Sequence, residues 1–288
     1  MDGRRGFSFF RTLFQSIKFL LCHFHEFLLI AIPLLLIYAA LCIWVGYPLT
    51  GSAEFGLSFF PMHQILPGFM GWVLIAILAV RWHRRVLIGP FDRWTAYVPL
   101  LGRRELQFLL LEILIMVMMI FFLLPFIWLF PLIGSAMIRD FGQGLDIVLL
   151  IAALGVGSAA AHIAVTFAIA SVFLVFPMIA TDRPASWSMA ALLLEGYGVR
   201  TRLLLAIAST TLATGLLIGS FRVDTRGGGG IRLSLYSGQS GETLAVATFS
   251  HSLELLAAAF CATVFSLTYK RMTEIKQLEE PTPSAAPA

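Results

Sequence analysis

Long apolar stretches without a charged residue constrain this chain more than any other feature of its sequence. The longest stretch covers residues 147–181, which is 35 residues, and several others contain 19 or more. A helix of about 20 apolar residues crosses the ~30 Å hydrocarbon core of a bilayer, because its backbone hydrogen bonds are all internal. The pattern therefore predicts repeated membrane crossings rather than a water-soluble core.

The overall composition leads to the same prediction. Of the 288 residues, 59% are hydrophobic and only 12% are charged, and the mean hydropathy is +0.88. A soluble domain carries roughly 25% charged residues. The net charge of +4 comes from basic clusters between the apolar stretches, so the polyanion that they meet is the lipid surface rather than nucleic acid. We predict an all-α integral membrane protein.

Six apolar segments are predicted to form a six-helix transmembrane bundle. As a helix, the fourth segment between Asp146 and Asp182 would be about 51 Å long at ~1.5 Å per residue. That length exceeds one crossing but is too short for two, so we predict one tilted or overlong helix. The six segments cover about residues 27–45, 65–80, 106–130, 146–182, 203–221 and 244–269.

The distribution of lysine and arginine predicts the orientation of the spans, because short cytoplasmic loops retain positive charge. With the N-terminus inside, 16 of the 20 basic residues fall on the cytoplasmic side and 4 fall outside. The predicted location is the bacterial inner membrane, with both termini in the cytoplasm. The four outer residues are Arg139, Arg222, Arg226 and Arg232.

The segments around the spans complete the predicted domain organisation. Residues 1–26 contain an amphipathic helix that lies in the headgroup layer; anchoring of the first span is favoured over membrane sensing. Residues 27–272 form the transmembrane domain, and residues 273–288 form a disordered cytoplasmic tail. Residues alternate in polarity on both sides of Gly227–Gly230, which predicts a short extracytoplasmic hairpin.

Small residues at four-residue spacing indicate where helices pack closely. Ala153, Gly157 and Ala161 share this spacing in the fourth span, and Gly215 and Gly219 share it in the fifth. Without water to drive helices together, close backbone contact at small residues stabilises the bundle. The partner helix belongs to the same chain or to another subunit.

Ionisable residues inside the spans are a second kind of candidate site, because they are costly in hydrocarbon. Glu112, His162, His251 and Glu254 fall inside predicted spans, and His251 and Glu254 share one helix face. They could relay protons or ions, although Glu112 and Glu254 are near enough to the interfaces to reach water. A haem bound between His162 and His251 is a weaker alternative.

The sequence contains no convincing metal, cofactor or catalytic motif. His23, His25 and Glu26 are at the inner end of the first span, on the opposite side from His251 and Glu254, so the two groups cannot share a metal ion. We therefore expect no metal, no cofactor and no covalent catalysis.

One short string matches a serine-protease motif but has the wrong geometry. The string Gly238–Gly241 matches the sequence around the serine of rhomboid intramembrane proteases. On one helix, however, Ser240 and His251 would be about 16 Å apart at ~1.5 Å per residue. The three cysteines, Cys22, Cys42 and Cys261, form no disulfide pattern.

Two strings beside the spans carry a family resemblance. Trp-His-Arg-x-Val-Leu-x-Gly begins at Trp82, and Phe-Pro-x-Ile-Ala-x-Asp-Arg-Pro begins at Phe176. With them, residues 10–272 resemble bacterial six-span inner-membrane proteins related to the YciC-like group and to the membrane domain of glycerophosphodiester phosphodiesterases. Pro90 departs from the acidic residue that is frequent there. The resemblance implies six spans but no agreed activity, so no catalytic residue is carried over.

These observations lead to three functional hypotheses. The leading one is a membrane-organising or accessory protein that contacts anionic lipid, a membrane protein partner or a second copy of itself. The alternative is a small transporter or channel that uses His162, His251 and Glu254. A lipid-metabolising enzyme ranks third, because no nucleophile or metal cluster is recognisable. The residues assigned to contact with lipid headgroups or a partner are Arg81, Trp82, His83, Arg84, Arg85, Arg103 and Arg104.

Overall fold

The computed structural model describes most of the helical part of the chain. The described residues are 8–45, 62–91, 100–119, 121, 157, 160–195, 197–224, 232–235 and 244–279. Within these ranges the backbone is helical almost throughout, as predicted for an all-α membrane protein.

The helices and strands follow one another with short connections. In chain order they are α1 (Phe9–Cys22), α2 (Phe24–Trp44), α3 (Met62–Leu87), α4 (residues 103–119), α5 (Ala160–Ala168), a 3-10 turn (Ala170–Leu174), α6 (Val175–Ala180), α7 (Trp187–Leu194), α8 (Gly198–Ser220), β1 (Phe221–Asp224), β2 (Arg232–Leu235) and α9 (Leu244–Glu279).

Three helices among the described residues are long and apolar enough to cross a bilayer, so the protein is a membrane protein. They are Phe24–Trp44, Leu66–Leu87 and Ala247–Glu274. These helices confirm the first, second and sixth predicted segments as helices of spanning length. The fifth segment is helical in α8, and the third begins as the helix α4. The total of six spans stays a prediction, since much of the third and fourth segments lies outside the described residues.

The fourth predicted segment is not the single straight helix that its length suggests. Ala160–Ala168 and Ala170–Ala180 are bent against each other by 69°, and counted together they could form one further span. Pro177 offers no N–H to the carbonyl of Phe173 and crowds it, which favours a break before α6. The Thr166 hydroxyl also donates to its own helix backbone, 2.8 Å from the His162 carbonyl.

The amphipathic helix α1 is present, and its two faces have different surroundings. Its polar residues Thr12 and Ser16 are completely buried, whereas Phe10, Phe14 and Leu21 are 78%, 68% and 68% exposed. Exposed aromatic side chains beside buried hydroxyl groups are unusual for a helix on a soluble protein. Thr12 and Ser16 pack on the bundle together with Leu20, and the outward apolar residues are free to enter lipid.

Contacts between α2 and α3 show that these helices are antiparallel. The Glu26 carboxylate near the start of α2 pairs with Arg85 near the end of α3. Further along α2, the ring of Tyr38 lies beside Gly71 in the first half of α3.

The longer helix α9 runs parallel to α3. His251 of α9 lies beside Gly71, and fifteen residues later Ser266 lies 2.6 Å from Nδ1 of His83. Because α3 and α9 run in the same direction, the chain must cross back over the bundle between them. The predicted six spans agree with this, since the second and the sixth cross the membrane in the same direction.

The helix α8 runs antiparallel to α9 and packs closely on it. Near its start the Tyr197 hydroxyl donates to the carbonyl of Met272, and further on Cys261 Sγ lies 2.9 Å from the carbonyl of Ala208. Small residues make this approach possible. The buried alanines of the two helices include Ala206, Ala208, Ala258, Ala259 and Ala262.

These directions bring many helix ends to one end of the bundle, which we call the basic end. Helices α3, α6 and α9 end there, and α2, α4 and α8 begin there. The helix α1 lies there too, because Arg271 near the end of α9 donates to Thr12 and Gln15. Arg84, Arg104 and Arg183 also lie at this end.

The remaining sequence predictions about elements have mixed outcomes. The antiparallel pair β1–β2 lies where the alternating pattern predicts the hairpin, with Phe221 opposite Leu235 and Asp224 opposite Arg232. The predicted disordered tail is wrong for residues 273–279, which continue α9, because their polar side chains do not prevent a packed helix from extending. Residues 280–288 lie outside the described part.

The predicted small-residue contacts are only partly covered by the structure. Ala153 lies outside the described residues, while Gly157 and Ala161 are in helical backbone. Gly215 and Gly219 belong to α8. Their packing partners are not among the described contacts, so these assignments stay predictions.

Candidate functional site

Two of the residues assigned to lipid contact, Trp82 and His83, are instead completely buried. Trp82 Nε1 donates to Thr263 Oγ1 at 2.7 Å, and His83 Nδ1 lies 2.6 Å from Ser266 Oγ. Both bonds connect α3 to α9. The assignment of these two side chains to lipid headgroups is therefore wrong, because the parallel helix α9 covers them.

Arg81 and Arg85 are also withdrawn from the surface, each with 8% exposure. Arg85 forms a two-pronged ion pair with Glu26, in which Nη2 lies 2.7 Å from Oε1. The guanidinium is thus matched by a carboxylate within the protein. The assignment of Arg81 and Arg85 to headgroups is wrong for the same reason: other helices pack over the end of α3.

A second cluster at the basic end is centred on Asp182. Arg104 makes a two-pronged hydrogen bond to its carboxylate, and Arg84 Nη1 lies 3.6 Å from Oδ2. Arg84 also donates to the carbonyl of Ala180 at 3.0 Å. The Arg104 guanidinium holds the pKa of the Asp182 carboxyl below its ordinary value, and the same pairing raises the pKa of Arg104.

The backbone around Asp182 explains why this residue is available for the cluster. Asp182 has a left-handed conformation with φ 56°, and its N–H bonds the carbonyl of Ile179. The N–H of Arg183 bonds the carbonyl of Met178, which completes a Schellman closure of α6. The Asp-Arg-Pro triplet in the sequence is therefore a helix stop.

A groove runs between the start of α4 and the end of α6, with a volume of about 850 Å³. We call it the basic groove. At the basic end its mouth carries Arg103, Arg104 and Arg183, and its apolar lining, which we call the apolar wall, comes from both α4 and α6. Arg183 is positioned by Tyr269, whose hydroxyl lies 3.2 Å from Nη1. The described lining residues are Gly102, Arg103, Arg104, Glu105, Gln107, Leu111, Val175, Ile179, Asp182, Arg183, Pro184 and Ala185.

The start of α4 fixes the mouth of the basic groove. The Glu105 carboxylate accepts a hydrogen bond of 3.0 Å from the N–H of Gly102, as in a capping box. This cap holds the first turn of α4, which carries Arg103 and Arg104. Of the predicted contact residues, Arg84, Arg103 and Arg104 thus keep exposed or half-exposed side chains at the basic end.

A second space, which we call the central cavity, lies between α3, α4, α5 and α9 and has a volume of about 240 Å³. Most of its wall is aromatic or aliphatic, with a few polar side chains. The described lining residues are Trp72, Ile75, Ala79, His83, Phe108, Glu112, Ile115, Met116, Met119, His162, Thr166, Phe173, Phe176, Ser209, Ala258, Cys261, Ala262 and Phe265.

Two imidazoles of the central cavity have an unused nitrogen. Nε2 of His83 and Nε2 of His162 are buried and have no hydrogen-bond partner within the described part of the chain. Glu112, on the wall formed by α4, makes no hydrogen bond or ion pair to any residue that the structure describes. Buried polar groups without a partner are uncommon in proteins and indicate a site for a ligand or water.

The predicted polar set of His162, His251 and Glu254 is not brought together. His251 Nδ1 lies 2.9 Å from Glu254 Oε2, and the His251 ring stacks on Tyr38 at 4.1 Å between centroids. Neither residue lines the central cavity, whereas His162 does. His162 instead lines the central cavity together with His83 and Glu112.

Helical spacing in the sequence does contain a signal for this cavity. In α3, Trp72, Ile75, Ala79 and His83 follow one another at three- or four-residue steps. This spacing places His83 on one face with intramembrane residues. The neighbouring arginines outweigh this signal, because a histidine within a basic cluster at a helix end is typical of a membrane interface.

Other candidates from the sequence gain no support as binding centres. No group of three or more metal-ligating side chains is found in the described ranges. His23 bonds its own helix at the Phe19 carbonyl, and His162 and His251 do not share a cavity. Ser240 lies outside the described residues.

Comparisons of the chain with models of protein families, with curated proteins and with solved structures find no match. The resemblance to the YciC-like group therefore stays a prediction.

Proposed function

We propose that this chain is a non-catalytic protein of the bacterial inner membrane that binds an anionic phospholipid and thereby organises its surroundings or supports a membrane partner. The observation that carries the proposal is the basic groove, which combines an arginine-rich mouth with an apolar wall. An anionic phospholipid has the same two parts, a negative headgroup and an apolar chain.

The charges of the basic groove favour an anion. Three arginines line it, Arg103, Arg104 and Arg183, against the two carboxylates of Glu105 and Asp182. Asp182 is engaged by Arg104, and Glu105 by the backbone of α4. Arg103 is exposed and makes no ion pair with a described residue, so its guanidinium is available for a phosphate.

The apolar wall of the basic groove suits the acyl chain. Leu111, Val175 and Ile179 follow the mouth along α4 and α6, in the direction that leads from the basic end into the bundle. We propose that the basic end faces the cytoplasm, in accord with the distribution of lysine and arginine. The exposed apolar face of α1 then lies in the same leaflet.

Substitution of single arginines tests the proposal. Wild type, Arg103→Gln and Arg200→Gln are purified in mild detergent after exposure to vesicles of phosphatidylglycerol and phosphatidylethanolamine, and bound lipid is measured by native mass spectrometry. Arg200 is an exposed arginine on α8 outside the basic groove, so it is the matched control. We expect Arg103→Gln to lose several-fold more phosphatidylglycerol than Arg200→Gln. Equal retention by all three proteins would contradict the proposal.

A small transporter or channel is the second candidate, and the central cavity is the observation that favours it. Intramembrane polar residues commonly mark substrate or ion pathways. In this role His162 would act with Glu112 and His83 rather than with His251 and Glu254. Proton flux in proteoliposomes that is equal for wild type and a Glu112→Gln, His162→Leu double variant would argue against it.

A further inference from the structure

We propose that the central cavity binds a lipophilic organic cation, with the Glu112 carboxylate as its counter-charge and the surrounding aromatic rings as its walls. This site is separate from the basic groove, and the proposal does not depend on lipid binding there. It assigns a ligand class to a space that is otherwise only a gap between helices.

The first support is the unmatched carboxylate. Glu112 lies on the wall of the central cavity, and no lysine or arginine is among the described residues that line this space. A carboxylate in an apolar environment is costly unless a positive charge or hydrogen-bond donors compensate it. The other intramembrane carboxylate, Glu254, has His251 as a partner at 2.9 Å. A bound cation would supply what Glu112 lacks.

The second support is the number and origin of the aromatic rings. Trp72 comes from α3, Phe108 from α4, Phe173 from the 3-10 turn, Phe176 from α6, and Phe265 from α9. The faces of such rings attract cations, and the attraction is stronger where water is excluded. The rings also brace one another, with centroids 5.2 Å apart for Phe173 and Phe265 and 4.3 Å apart for Phe108 and Phe176.

The third support is the pair of unused imidazole nitrogens. His83 is completely buried, and Ser266 holds its ring through Nδ1, so that Nε2 is left without a described partner. Nε2 of His162 is in the same state. In the neutral tautomer whose Nδ1 carries the proton, Nε2 accepts a hydrogen bond from an ammonium N–H. The polar groups of the central cavity therefore suit an amine or ammonium head on an apolar body.

The remaining features exclude two other ligand classes. An anion would meet Glu112 without a compensating lysine or arginine among the described lining residues. A bare metal ion needs several converging ligands, and no such group is found among the residues that the structure describes. The volume of about 240 Å³ fits a small aryl ammonium ion.

Benzylammonium and its uncharged isostere ethylbenzene separate charge recognition from simple apolar filling. Binding of radiolabelled benzylammonium to the purified full chain in nanodiscs is measured by equilibrium dialysis. We expect saturable binding by wild type, at least a tenfold loss of affinity in Glu112→Gln, and substantial retention in Glu112→Asp, which keeps the charge. Glu254→Gln is the matched control, since it removes an intramembrane carboxylate outside the cavity.

Four results would overturn the proposal. The first is the absence of saturable binding by wild type. The second is equal affinity of wild type and Glu112→Gln. The third is competition by ethylbenzene as strong as that by the unlabelled cation, which would make the cavity an apolar site only. The fourth is a loss of binding that both folded Glu112 variants share. Size-exclusion profiles and thermal unfolding of Glu112→Gln and Glu112→Asp establish that both variants are folded.

Discussion

Asp182 is unusual among the residues of the basic end, because it combines a left-handed backbone with a side chain that pairs with two arginines. Its φ of 56° is a conformation that glycine, asparagine and aspartate adopt most readily. A glycine would close α6 equally well but could not bind Arg104 and Arg84. The aspartate therefore connects the end of α6 to α3 and α4.

Substitutions at Asp182 should separate the backbone effect from the charge effect. Asp182→Asn keeps a residue that tolerates φ 56° and removes the ion pairs. Since these pairs are half-exposed, we expect the free energy of unfolding to fall by about 0.2–1 kcal/mol. Asp182→Val adds the steric cost of a left-handed β-branched residue, about 1–2 kcal/mol more. Thermal unfolding in one detergent measures both. Equal melting temperatures for the two variants would contradict the strain argument.

The same residue predicts a dependence of stability on pH. Arg104 lowers the pKa of Asp182 in the folded protein, so the ion pair stabilises the fold above the ordinary aspartate pKa of about 3.9. This contribution is lost as the pH falls through the lowered folded pKa. The difference in melting temperature between wild type and Asp182→Asn should be constant near neutral pH and shrink in strong acid. A difference that grows on acidification would refute the assigned sign.

Residue assignments could be predicted from the sequence only where local chemistry decides them. The Asp-Arg-Pro stop and the capping box of Gly102 and Glu105 depend on a few neighbouring residues. Trp82 and His83, in contrast, are buried by α9, about 180 residues further along the chain. No local pattern contains that information, so an arginine-rich string was assigned to the surface.

At the scale of the elements, α1 is the helix whose environment the structure defines most clearly. Its hydroxyl residues Thr12 and Ser16 face the protein, and Phe10 and Phe14 face outward. An outward apolar face at the basic end should lie in the lipid rather than in water. The helix would then be bound on both sides, by α9 on one face and by acyl chains on the other.

Spin labels on α1 test this arrangement. In a background without native cysteines, a label at Phe14→Cys in lipid vesicles should be more accessible to oxygen than to a polar nickel chelate, because oxygen concentrates in the acyl region. A label at Lys18→Cys, an exposed polar position of the same helix, is the matched control and should show the opposite preference. Similar accessibilities at both positions would place α1 in water.

Among the elements, the apolar helices could be predicted and the bend could not. Whether a helix is stable in hydrocarbon depends on the composition of that one segment. The helices α2, α3 and α9 can therefore be predicted from their own residues. The bend before α6 depends on two residues of a long apolar segment. Pro177 lacks the N–H that a helix needs, and the Thr166 hydroxyl bonds a backbone carbonyl of its own helix. Length alone could not distinguish that broken helix from a tilted one.

At the scale of the whole molecule, the directions of the helices make a prediction about topology. The helices α3 and α9 both end at the basic end, and α8 runs from this end to β1. A reporter fused after Phe91 or after Glu279 should therefore be cytoplasmic, with green fluorescent protein fluorescent at both positions. Alkaline phosphatase inserted between β1 and β2 should be active. An inactive phosphatase at that position, or an active one after Glu279, would contradict the proposed orientation.

The contact between α1 and the end of α9 has a consequence for the biogenesis of the protein. Thr12 and Gln15 leave the ribosome at least 256 residues before Arg271, whose guanidinium they bind. During translation these two side chains therefore lack their partner until α9 has been synthesised. A nascent chain halted before Arg271 would lack the hydrogen bonds that join α1 to α9.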